Sequence, residues 1–203
     1  MRRGLFFAIA GAVLLASPVT AQPHYISALE YSVGIPVGDT HNFLPVGGWS
    51  GAAWESRWMD HPHTTIGFLL GFNEFYQRNR NGTFTFPDGA ATGDLYRHLI
   101  STPLLFTAAW YFNDNRDDPR WYVGGGGGPQ YTEQELQLGL NRRVEGNWNF
   151  VLVPEVGLAF TAWYGTGGIL ALRYHLPSET NGLFGQGDQR FQYFSLSFGL
   201  GYR

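Results

Sequence analysis

Six ionisable side chains fall on the small, polar face of segments in which bulky apolar residues alternate with small ones. They are Glu30, Glu55, Arg57, Arg97, Glu155 and Arg173. Carboxylates and guanidiniums that face one another neutralise each other, and Arg can bridge carboxylates through paired hydrogen bonds. An unpaired buried charge is strongly unfavourable, so we predict that the six form one interior network. Two roles stay open for it: a structural plug, or a gate in which an Arg changes its carboxylate partner and opens a narrow ion path.

Other reactive residue types are present, but their spacing does not favour catalysis or metal binding. A serine nucleophile needs a base within hydrogen-bond reach. His175 and Ser178 are three residues apart with Pro177 between them, so on a regular strand they point to opposite faces. The turn sequence His61-Pro62-His63 offers two imidazoles, too few ligands for a typical metal site. We therefore predict no catalytic residue, no metal and no cofactor.

The composition excludes several classes of protein. The chain has 203 residues, no Cys and 17% aromatic residues. The lack of Cys excludes a disulfide scaffold and a cysteine nucleophile. The high aromatic content excludes a disordered chain. All 13 basic residues are Arg. Two of them lie in the N-terminal leader described next, which leaves 11 Arg against 16 acidic residues and a formal charge of −5. Nothing in this balance predicts a nucleic-acid partner.

The first 21 residues have the features of a cleaved export signal. Arg2 and Arg3 precede an apolar run from Leu5 to Ala16, and a small-residue site follows at Val19 to Ala21. A retained membrane anchor is the alternative, but the run is shorter than the ~20 residues that a spanning helix needs. We predict a signal at residues 1–21 and one domain at 22–203. Since no later apolar run reaches that length, a membrane form would have to be a closed barrel.

Alternation with a period of two residues predicts eight β-strands. They are about Ile26–Pro36, Trp49–Met59, Ile66–Asn73, Tyr96–Phe112, a segment from Trp121, Asn149–Phe160, Gly168–Leu176 and Phe194–Tyr202. Pro154 weakens the sixth assignment. We expect Gly124, Gly126 and Gly128, on the inward face of the fifth strand, to leave room for the long charged side chains. The predicted fold is all-β: an eight-stranded antiparallel up-and-down transmembrane barrel.

The connections alternate in length, as they do in outer-membrane barrels, where outer loops are long and periplasmic turns are short. A soluble lipocalin-like barrel has no reason to keep this rule. The predicted long connections are Val37–Gly48, Gln77–Gly93, Glu133–Gly146 and Pro177–Gln189, and the short ones are Asp60–Pro62, Asn113–Pro119 and Gly165–Gly167.

Tryptophan placement predicts two aromatic rims, because indole rings prefer the interface between lipid and water. The predicted periplasmic rim contains Trp58, Trp110, Trp121, Trp163 and Tyr202, and the predicted outer rim contains Trp49 and Trp148.

These features resemble the small eight-stranded outer-membrane β-barrel proteins, a group that includes the OmpA-like and OmpX-like barrels. The resemblance rests on YSVGIPVGD from Tyr31, WYVG from Trp121, PEVG from Pro154 and the alternating last strand. It implies a monomer in the outer membrane of a Gram-negative envelope, in contact with lipids including lipopolysaccharide. It also implies assembly by the barrel-assembly machinery, whose signal a C-terminal aromatic resembles. The expected role is structural or surface-interactive; the alternatives are a narrow pore for ions or small solutes and, third, a lipid A-modifying enzyme.

Overall fold

The computed structural model describes residues 25–61, 63–86, 89–113, 119–161, 166–181 and 188–202. The predicted signal and Trp163 lie outside the described residues. The strands are β1 Tyr25–Pro36, β2 Gly48–His61, β3 Thr64–Phe86, β4 Gly89–Tyr111, β5 Arg120–Leu138, β6 Asn141–Thr161, β7 Thr166–Pro177, β8 Thr180–Asn181, β9 Asp188–Gln189 and β10 Tyr193–Tyr202. One short helix is described, α1 Asp39–Phe43. None of the described helical segments is long and apolar enough to cross a membrane.

Strands β1 to β7 and β10 form a closed antiparallel barrel, which confirms the predicted fold class. Each barrel strand pairs with the next barrel strand along the chain, so that β7 pairs with β10. The ring is closed by β1 and β10, where Leu29 lies opposite Leu200. We call the end at which β1, β3, β5 and β7 finish the hairpin end. The opposite end, where β1 starts and β10 finishes, is called the turn end.

Two predicted long connections are mostly strand, which corrects their assignment as loops. Gln77–Gly93 and Glu133–Gly146 lie almost entirely within the β3–β4 and β5–β6 hairpins. Their polar composition resembles that of a loop, but the ladder of backbone hydrogen bonds continues through them. Cross-strand ion pairs contribute as well: Arg142 donates to both oxygens of Glu135 at 2.6 and 2.7 Å, and these hydrogen bonds lower the pKa of Glu135.

Pro154 does not end its strand. It lies in the middle of β6 opposite Gly125 of β5. On its other side the ladder to β7 has a gap between the Leu152 and Glu155 pairs, although the register is kept across it. Because proline has no backbone N–H to donate, the strand continues with a local loss of pairing.

The barrel has an apolar exterior and a filled interior. Large apolar side chains such as Phe106, with 67% of its surface exposed, point outward along every barrel strand. Inside, three apolar clusters accompany the polar residues. One joins α1 to the hairpin end through Phe43, Phe191 and Leu136, a second lies near the middle, and a third lies near the turn end around Tyr111. An eight-stranded barrel is just wide enough for side chains to fill it, and here they do so with apolar as well as polar groups.

Candidate functional site: a buried carboxylate–guanidinium network

Five of the six predicted interior ionisable residues meet inside the barrel. They come from adjacent parts of the wall: Glu30 on β1, Glu55 and Arg57 on β2, Glu155 on β6 and Arg173 on β7. Each occupies an inward position of the period-2 alternation, so the strand itself aims the side chain. At most 5% of any of these five side chains is exposed. We refer to these five residues as the interior network.

Arg173 contacts all three carboxylates. Its Nε lies 2.6 Å from Glu155 Oε2, its Nη1 lies 2.5 Å from Glu30 Oε2, and its Nη2 lies 3.1 Å from Glu55 Oε2. Nη2 also donates to Glu30 Oε1, which makes that pair bidentate, and Nη1 donates to Ser197 Oγ on β10. One guanidinium therefore ties together β1, β2, β6, β7 and β10.

Arg57 forms the second centre of the network. Its Nη2 donates to Glu55 Oε2 at 3.0 Å and to Glu155 Oε1 at 2.6 Å. Its Nε lies 2.8 Å from Glu55 Oε1, an ion-pair contact whose geometry does not suit a hydrogen bond. The same guanidinium donates to the hydroxyls of Tyr111 and Tyr122 and lies 4.4 Å from the centre of the Tyr122 ring. Glu55 and Glu155 thus each bridge both guanidiniums.

Arg97 is not part of the interior network, which corrects its predicted membership. Its Nη1 donates to the carbonyl oxygen of Phe43 in α1 at 3.0 Å, at the hairpin end. The buried neighbours Leu95 and Leu99 show that the inward face was predicted correctly. Alternation reveals which face a residue occupies, but it does not reveal the height at which that residue lies in the barrel.

Arg120 is the inward guanidinium that the sequence prediction missed. It is buried, and its guanidinium lies 4.5 Å from the centre of the Tyr111 ring, whose hydroxyl accepts from Arg57. This position brings a third positive charge close to a network of three carboxylates and two guanidiniums. The fifth strand was predicted to start at Trp121. Because Tyr122 faces inward and side-chain direction alternates along a strand, starting the strand one residue earlier would have identified Arg120 as inward.

The glycines at 124–128 do not make room for the network, contrary to the prediction. A Cβ at Gly124 would lie 2.5 Å from the carbonyl oxygen of Ala108, so this run allows close approach of the β4 backbone. The glycine that does accommodate the network is Gly199 on β10, where a Cβ would lie 2.5 Å from Glu30 Cγ.

The interior network joins five barrel strands through ion pairs and hydrogen bonds. To change partner, Arg173 would have to leave several hydrogen bonds at once and expose carboxylates without compensation. Removing one partner of a buried ion pair costs about 3–5 kcal/mol because the remaining charge is left unpaired. This cost opposes the exchange of carboxylate partners that the gate hypothesis requires. The gate hypothesis stays a prediction, and a conductance measurement tests it.

The possible hydrolase pair is separated. His175 is buried, stacks on Tyr193 with ring centres 4.1 Å apart, and its Nε2 lies 3.0 Å from Ser195 Oγ. Ser178 is exposed, and its Oγ accepts from the backbone N–H of Phe150. His175 and Ser178 therefore engage different partners on different sides of the wall.

The described tryptophans of both predicted rims point outward and are exposed. Trp58, Trp110 and Trp121 lie near the turn end, and Trp49 lies near the hairpin end. Trp148 packs against Tyr131 with ring centres 5.4 Å apart. Beyond it, the outward positions of β6 are Gly146, Val144 and Arg142. The backbone of Tyr202 ends β10 at the turn end.

Comparison with solved structures finds similar folds over most of this chain. Neisserial surface protein A matches with a TM-score of 0.55 at 11% identity, over 89% of this chain and 97% of that one. Ail, the attachment invasion locus protein of Yersinia pestis, matches with a TM-score of 0.52 at 10% identity, over 88% and 97%. Its complex with the heparin analogue sucrose octasulfate matches with a TM-score of 0.50 at 10% identity, over 88% and 95%. No protein-family model and no curated protein matches the sequence. At these identities the likeness shows the fold alone.

Proposed function

We propose that this chain is an integral outer-membrane β-barrel protein with a structural or surface-interaction role in the bacterial envelope. The observation that carries the proposal is the inverted distribution of side chains. Glu30 and Arg173 are buried inside, while Leu152 and Leu200 are 55% and 63% exposed on the outside. In water a large continuous apolar surface is rare, whereas a barrel in lipid needs an apolar band between aromatic rims.

The proposed orientation has the hairpin end outside the cell. Outer-membrane barrels have long extracellular connections and short periplasmic turns, and the β3–β4 and β5–β6 hairpins extend well beyond the apolar band. The fold shared with Neisserial surface protein A and Ail supports the same environment.

A structural or interactive role fits the filled interior better than solute passage does. The interior network and the apolar clusters occupy the cross-section, so passage would require these groups to move apart. The polar outer parts of the long hairpins offer the surface on which a partner would be recognised.

Cell fractionation combined with heat-modifiable mobility tests the location. We expect recovery in outer membranes and a shift in electrophoretic mobility between unheated and boiled samples. Recovery in the soluble periplasm with no shift would overturn the proposal.

Epitope insertion tests the orientation. An epitope placed beside Leu140, which is fully exposed at the β5–β6 turn, should bind antibody on intact cells. The matched insertion beside His63, in the turn between β2 and β3, should bind only after permeabilisation. The reverse pattern would refute the orientation.

A further inference from the structure

Strands β3 to β6 extend past the rest of the barrel as a four-stranded sheet. Pairing of β3 with β2 ends at Glu74, and pairing of β6 with β7 ends at Val151. Beyond these points β3 pairs with β4, β4 with β5 and β5 with β6, up to the tips of the two long hairpins. We call this extension the arm sheet. Its two edges have no barrel strand beside them among the described residues, so cross-strand side-chain contacts add to its stability.

One outward side chain from each strand of the arm sheet joins a continuous polar chain. In spatial order the members are Glu74 on β3, His98 on β4, Glu135 on β5 and Arg142 on β6. His98 Nε2 lies 2.7 Å from Glu74 Oε1, and His98 Nδ1 lies 3.8 Å from Glu135 Oε2. Arg142 donates to both carboxylate oxygens of Glu135. We call these four residues the arm cluster.

The arm cluster lies past the predicted outer aromatic rim and is partly shielded from water. Glu135 is four residues beyond Tyr131 on β5, and Tyr131 packs against Trp148. Only 19% of the His98 side chain and 16% of the Glu135 side chain are exposed. Salt screens partly buried charges less than fully exposed ones. A change of charge on His98 therefore acts on its neighbours.

The other titratable and charged side chains around His98 have contacts of their own. They are Tyr76 and Arg78 on β3, Asp94 and Tyr96 on β4, and Glu133 on β5. The Tyr76 ring meets the imidazole edge-on, with ring centres 6.1 Å apart. Arg78 pairs with Asp94 at 3.3 Å and lies over the Tyr96 ring, while Tyr131 donates to Glu133. Among the described residues, Glu74 and Glu135 are the charged groups paired with the imidazole.

The protonation state of His98 decides whether the arm cluster is complete. A neutral imidazole has one donor nitrogen and one acceptor nitrogen, whereas the protonated ring has two donors. Carboxylate oxygens only accept, so a neutral His98 can bond one carboxylate while its other nitrogen presents a lone pair to the second. The 2.7 Å and 3.8 Å distances fit this state, with the Glu74 contact formed and the Glu135 contact open. A second proton would close the open contact.

We propose that the arm cluster is a pH-sensitive switch that stabilises the arm sheet in acid. Imidazoles gain their charge between about pH 8 and pH 5, a range in which carboxylates stay ionised. The hydrogen bonds from Arg142 lower the pKa of Glu135 and so keep it charged there. The added contact is therefore present near pH 5 and is lost as the pH rises toward 8. This regulation depends on the proposed function only for the compartment whose pH is sensed.

Amide hydrogen exchange on the purified, refolded barrel in detergent micelles tests the proposal. Protection factors, which correct for the intrinsic pH dependence of exchange, are compared at about pH 5 and pH 8. Amides of the arm sheet should be about two- to fivefold more protected at the lower pH, the range expected for one partly exposed ion pair. Because the assay needs no cell envelope, its failure is distinguishable from failure of the proposed location.

Two variants assign the effect to His98. His98→Gln keeps an N–H donor for Glu74 but cannot gain a charge, so the pH dependence of arm-sheet protection should disappear. His41→Gln is the matched control, since His41 is exposed on α1 outside the arm sheet. It should keep the pH dependence of the unmodified protein. Heat-modifiable mobility establishes that each variant is folded.

Two results would overturn the proposal. One is arm-sheet protection in the unmodified protein that stays the same at both pH values. The other is a pH dependence that His98→Gln retains in full, which would assign the effect to a different titrating group.

Discussion

A charge placed on the outward face of β6 should measure whether that face lies in lipid. Leu152 is 55% exposed and lies four residues from Trp148 on the same strand. On a strand tilted by about 40°, four residues rise about 10 Å, which brings Leu152 near the middle of an apolar band about 25 Å tall. Leu152→Arg should therefore lower the free energy of unfolding from the bilayer by about 2–4 kcal/mol.

Val144 provides the matched control. It lies on the same strand and the same outward face, four residues from Trp148 in the opposite direction, and it is also exposed. Beyond the rim an added Arg stays in water, so Val144→Arg should change the free energy of unfolding by no more than about 0.5 kcal/mol.

Urea titration of the barrel folded into phospholipid vesicles, followed by tryptophan fluorescence and by gel mobility, measures both variants. The expected difference corresponds to about a 30- to 700-fold change in the folding equilibrium. If Leu152→Arg and Val144→Arg cost the same within about 0.5 kcal/mol, then the exterior faces water and the membrane argument fails.

Three further outcomes follow from the interior, and the same urea titration measures the first and third. Arg173→Met should lower the free energy of unfolding by about 3–5 kcal/mol. Adding Glu30→Gln should recover part of that loss, because one unpaired charge is removed. A strictly additive further loss would contradict the pairing of Glu30 with Arg173. If the network is a structural plug, conductance in planar bilayers should stay at the level of the unmodified protein in both Glu155→Gln and Arg173→Met. New discrete channel openings in either variant would favour the gate. Gly157→Ala should lower the free energy of unfolding by about 1–3 kcal/mol, because its Cβ would overlap the Tyr122 ring; an unchanged value would mean that the ring has room to move.

Strand length was the feature of the fold least accessible to sequence reasoning. The arms of the β3–β4 and β5–β6 hairpins carry polar side chains on both faces, including the buried Gln134, so their sequences resemble loops. Backbone pairing nevertheless continues to Phe86 and Gly89 in the β3–β4 hairpin and to the turn at Gly139, where φ is positive.

The sequence by itself determined the all-β class, the closed eight-stranded ring and the inward face of the six ionisable residues first singled out, because side-chain direction in a strand alternates with every residue. Only the tertiary structure decided which charges meet. Height in a barrel depends on strand tilt and on the register between strands that are distant in sequence, such as β1 with β10. That register brings Glu30 to Arg173 across 143 residues of chain. It also takes Arg97 to the hairpin end and brings Arg120 to the tyrosines beside the interior network. No local pattern encodes those distances, since they result from the closure of the whole ring.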